Sequence, residues 1–142
     1  MISKPQNGWV DITIGDWTDR ASYLTDVQND FLDCITKVMT THLPNCFYCD
    51  AEGWEYIIVI SENAISIIRE KDTFDYYTYE FYENNVLLKD VAKTIVNDIE
   101  SNLNEWRTWE PCLDLNDMGD IENYKNIMLE KLNKLKGILK DQ

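Results

Sequence analysis

Residues 54–60, Trp-Glu-Tyr-Ile-Ile-Val-Ile, constrain this chain more than any other segment. They are apolar on both faces, and positions 56–60 form the longest unbroken apolar run. A strand wetted on one side alternates, whereas a run like this suits the interior of a sheet. It is far short of the roughly 20 residues a membrane helix needs. The flanking segments read as its neighbours. Ser61-Glu62-Asn63 is a turn, residues 64–69 and 75–82 are two further strands, and residues 46–50 are a short strand before it. Their spacing suits an antiparallel meander.

The rest of the chain supplies one more strand and three helices. Val10, Ile12 and Ile14 alternate with Trp9, Asp11 and Thr13, which predicts a half-buried strand ended by Gly15-Asp16. Thr25-Asp26-Val27-Gln28 fits a capping box, with Thr25 as N-cap and Gln28 reaching back. Val27, Phe31, Cys34, Ile35 and Val38 then recur at helical spacing, so residues 26–41 read as an amphipathic helix stopped by Leu43-Pro44-Asn45. A second helix spans roughly residues 86–107, with a stripe running from Leu88 to Trp106. Asp120 caps a last one, whose stripe includes Tyr124, Met128, Leu132 and Leu135. The order β-α-β-β-β-β-α-α predicts a single α+β domain over residues 1–142. It combines an antiparallel sheet of four to five strands with three helices packed mainly on one face. A chain of 142 residues, 44% of them hydrophobic, can bury a core without a disulfide or metal staple.

Charge narrows the partners. The chain carries 26 acids and 13 bases, a net charge of −13. Residues 1–110 hold nearly all of the excess, because 111–142 have six acids against five bases. Such a field repels nucleic acid and anionic membrane surfaces and steers basic partners inward, although acidity also serves solubility alone. The first ten residues contain no apolar leader segment, so a cytoplasmic location with reduced cysteines is expected.

No motif assembles a catalytic centre. Cys46-Phe47-Tyr48-Cys49 is a C-x-x-C, a spacing used by redox pairs and by half of a zinc site. Redox use needs a helix N-terminus to lower the thiol pKa, and an apolar strand region follows instead. In an extended segment Cys46 and Cys49 point to opposite faces and cannot share a metal, so they read as structural thiols. His42 is the only histidine, and it falls at the end of the first helix, where helix capping accounts for it better than catalysis. Asp114, Asp117 and Asp120 beside Gly119 echo a calcium loop but lack the bidentate acid at the right distance. The five glycines are isolated and form no phosphate loop. The expectation is a protein without enzymatic activity, cofactor or metal.

Two surfaces look fit for a protein partner. Asp26, Asp30 and Asp33 share one face of the first helix, at a cost of roughly 0.2–0.5 kcal/mol per like-charge pair. A solvated face explains them too. In the fourth strand of the meander, an inward Tyr77, Tyr79 and Phe81 would leave Tyr76, Glu80 and Tyr82 outward. Rings beside acids suit an interface, and cross-strand pairing within the sheet is the alternative use. The predicted contact set is therefore Asp26, Asp30, Asp33, Tyr76, Glu80 and Tyr82, with residues 109–119 as the next place to look.

Asp16-Trp17 followed by Ala21-Ser22-Tyr23-Leu24-Thr25-Asp26, and the acidic turn Asp50-Ala51-Glu52-Gly53-Trp54-Glu55-Tyr56, resemble segments of a loose group of small acidic bacterial proteins. In type, the chain resembles the immunity proteins of bacterial toxin systems, including contact-dependent growth inhibition. That resemblance implies a cytoplasmic, non-enzymatic protein that binds and neutralises a cognate, basic toxin domain, with no nucleic acid or membrane as partner. The alternatives are a generic acidic interaction domain, a nucleic-acid mimic, or a small metal-dependent enzyme.

Overall fold

The computed structural model describes residues 1–71, 78–109 and 118–141, without the side chains of Lys71 and residues 118–121. The fold is α+β, with a two-stranded and a four-stranded antiparallel sheet and four helices. The order is β1 (Trp9–Ile14), β2 (Trp17–Ser22), α1 (Val27–Thr41), β3 (Asn45–Asp50), β4 (Glu55–Ile60), β5 (Ala64–Lys71), β6 (Thr78–Asn85), α2 (Leu88–Ser101), α3 (Leu103–Arg107) and α4 (Met118–Asp141).

The apolar run became an interior strand, as its composition demands. β4 pairs with β3 on one side and β5 on the other, and β6 closes the order β3-β4-β5-β6. Alternate residues Tyr56, Ile58 and Ile60 of β4, with Ile65 and Ile67 of β5, are buried on the inner face. α1 lies against that face, presenting Phe31, Ile35 and Val38, and the Phe31 and Phe47 rings meet edge-on at 4.7 Å. α4 packs across α1 and α2, so the helices stand on one side of the sheet. Among the described residues no helix is long and apolar enough to cross a membrane.

Gly15-Asp16 does end the first strand, but as a two-residue hairpin turn that returns into β2, a strand the sequence pattern did not show. Gly15 sits at φ +58°, the left-handed value that a tight hairpin needs at its first central position. The hairpin crosses the inner face at one end of the sheet. Trp17 packs edge-on against Tyr56 at 5.2 Å, Tyr56 donates its hydroxyl to the Arg20 carbonyl at 3.0 Å, and the Asp16 N–H donates to the Tyr82 hydroxyl at 3.2 Å.

Three boundary expectations are corrected. The capping box does not form: Asp26 is the N-cap residue, the Thr25 hydroxyl instead accepts the Asp50 N–H at 2.8 Å, and Gln28 is buried under α4. A long second helix is broken at Asn102, whose side chain donates back to the Asp98 carbonyl and ends α2 before α3 begins. Asp120 lies inside α4 rather than capping it.

Candidate protein-binding surface

The acidic stripe of α1 meets the protein's own C-terminal helix. Asp26 accepts hydrogen bonds from the Tyr124 hydroxyl and from the Asn29 amide at 3.1 and 3.2 Å. Gln28 donates to the same Tyr124 oxygen at 2.7 Å. Asp33 pairs with Lys131 at 2.6 Å. Between them, Asp30 is half-buried, and burial first, then repulsion from Asp26, push its carboxyl up to about 7. Lys131 opposes the shift and Asp33 adds to it. The stripe is thus a seam between α1 and α4, joined by residues 96 to 98 positions apart in the chain.

That seam predicts a pH dependence. Unfolded, Asp30 releases its proton near the ordinary value of 3.8, whereas folded it holds it to about 7. Between those values the folded state binds the extra proton, so this contribution to stability is greatest at the acid end and is lost as pH rises to 7. Asp30→Asn should flatten that fall. It should also stabilise the protein at pH 8 by about 1–2 kcal/mol, because water reaching the carboxylate screens part of the penalty. Urea unfolding across this pH range measures it, and an unchanged slope would contradict the assignment.

In β6 the faces are the reverse of the sequence reading. Tyr82 stands opposite Ile67 and turns inward to the hairpin, with Glu80 on the same side opposite Arg69. Tyr79 and Phe81 face out, 66% and 65% exposed. The β5 register decides this: Ile65 and Ile67 belong to the core, so their cross-strand partners on β6 share its side. Tyr76 lies outside the described residues, as do Cys112, Asp114 and Asp117.

The outer sheet face carries a row the sequence reading missed. Tyr48, Ile57, Ile68 and Phe81 are direct cross-strand partners on four successive strands, forming one apolar band across the sheet. Tyr48 is 45% and Ile57 38% exposed. Beside the band stand Asp50 opposite Glu55, and Glu70 opposite Tyr79. On its other side Glu83 accepts from the Ser66 hydroxyl at 3.1 Å. The described outward positions include no lysine or arginine. The signal for this face was the double-sided apolarity of residues 54–60, whose outward half stays in contact with solvent.

Beneath one end of the face lies a fixed support. Asp19 of β2, with its side chain 11% exposed, accepts the Trp54 indole N–H at 3.1 Å and the Arg69 guanidinium at 3.1 Å. Arg69 also stacks over the Trp54 ring at 5.5 Å. Elsewhere, Cys46 is exposed and Cys49 buried, on opposite faces of β3. Burial pushes the Cys49 thiol well above its ordinary range, away from a reactive thiolate. His42 is the left-handed C-cap of α1 and lies 2.6 Å from Glu62. Among the described residues no group of three or more histidine, cysteine or acidic side chains could hold a metal ion.

No protein-family model, no curated protein and no solved structure matches this chain.

Proposed function

We propose that this protein is a non-enzymatic, cytoplasmic binding protein that caps a basic protein domain, in the manner of an immunity protein neutralising a cognate toxin. The observation that carries the reading is the outer sheet face: an apolar band with acids on both sides, on a chain of net charge −13. Interfaces combine a desolvated apolar centre with a polar rim, and a rim of one sign selects partners of the other and speeds their encounter. A second copy of this chain is a poor occupant, since acid would meet acid. The same repulsion disfavours nucleic acid and anionic lipid. The acids of α1 contribute to the long-range field, while their short-range contacts belong to α4.

Co-expression with the product of the adjoining gene tests the reading. The expected result is a stoichiometric complex that survives gel filtration at moderate salt and forms more slowly as salt rises. A basic, toxic neighbour that shows no complex and no loss of toxicity would overturn it.

A further inference from the structure

The turn between β3 and β4 and the adjoining outer-face row enclose a depression of about 490 Å3, lined by Leu24, Trp54 and the carboxylates of Asp50, Glu52, Glu55 and Glu70. It opens at the end of the apolar band, since Asp50, Glu55 and Glu70 each lie two residues along their strands from Tyr48, Ile57 and Ile68. None of the four acids has a salt-bridge partner among the described residues. Asp50 and Glu55 are direct cross-strand partners, an arrangement of like charges that destabilises a sheet. The Trp54 ring is held by Asp19 and already carries one guanidinium, that of Arg69.

We propose that this depression is the docking pocket for an arginine of the basic partner, whose neighbouring apolar side chains cover Tyr48, Ile57, Ile68 and Phe81. The inference rests on the outer face being the interface and deepens it by naming the anchor. Three features favour arginine. The planar guanidinium takes two carboxylates at once, so Glu55 and Glu70 on neighbouring strands can both be served. Its weak hydration and flat shape suit an indole wall. Leu24 gives the alkyl stem an apolar surface. A partner arginine also removes the repulsion that the free sheet carries.

The test uses the whole chain and a blocked Gly-Arg-Gly tripeptide as probe, followed through the Trp54 indole N–H resonance in nitrogen-15 NMR. The expected result is a saturable shift of Trp54 and of the Glu55 and Glu70 amides, with affinity on the order of millimolar, as for one side chain. The equivalent lysine peptide should bind roughly threefold or more weakly. A Glu55→Gln, Glu70→Gln double variant should lose the shift and unfold at a temperature no lower than the native protein, which separates lost binding from lost folding. No saturable shift, or a shift retained in the double variant, overturns the pocket. If the tripeptide leaves Trp54 unmoved while the basic partner still needs Phe81, the pocket fails and the interface stands. If Trp54 responds and the partner ignores Phe81, the pocket stands and the interface reading fails.

Discussion

Asp19→Ala should destabilise the protein by about 2–4 kcal/mol. Its carboxylate binds Arg69 and the Trp54 indole, tying β2 to β5 and to the turn that leads into β4. Removing it leaves a half-buried guanidinium without its counter-ion and an indole N–H without an acceptor. The Arg69 side chain is 37% exposed, so water relieves part of the loss and keeps it below that of a fully buried pair. Removing both charges, as in Asp19→Ala with Arg69→Leu, should recover much of the stability. Denaturant unfolding of the three variants measures this. A loss under about 0.5 kcal/mol for Asp19→Ala would mean that the pair is an ordinary surface contact.

The second large effect concerns binding. Tyr48→Ala with Phe81→Ala should weaken the complex with the basic partner by about 2–4 kcal/mol, mostly through faster dissociation. Both side chains are exposed, so the fold should lose only their cross-strand contacts, about 1 kcal/mol in all. Tyr82→Ala is the control. Tyr82 is one residue further on but faces the hairpin, where its hydroxyl accepts the Asp16 N–H. It should therefore lower stability more than the exposed pair does. Isothermal titration calorimetry and thermal unfolding together separate the two classes.

Residues 54–60 made the sheet legible, because apolarity on both faces leaves a short segment few alternatives to an interior strand. Val10, Ile12 and Ile14 placed β1 by a different signal, alternation with Trp9, Asp11 and Thr13. β2 was hidden for a physical reason. Trp17–Ser22 has Asp19 on its inward side, a polar residue that reads as loop until Arg69 and Trp54 are brought to it from 35 to 50 residues away. In β6 the aromatic residues occupy both parities, with Tyr79 and Phe81 on one and Tyr82 on the other. Local pattern gave the strand no inward side, and only pairing with Ile67 and Ile68 decides it. The acids of α1 were correctly read as one face. What that face meets depends on Tyr124 and Lys131, nearly a hundred residues later, and no periodicity reports such a contact.

Ile57 and Ile58 offer the most direct test of the central claim, because they are adjacent in sequence and face opposite sides of the sheet. Ile68 and Ile67 form the same pair on β5. With carbon-13 labels on the isoleucine methyl groups, the basic partner should be titrated in and the four residues followed individually. The account predicts that Ile57 and Ile68 shift or broaden to saturation at one equivalent, while Ile58 and Ile67 stay in place. A complex that leaves Ile57 and Ile68 unperturbed would contradict it and place the interface on another surface.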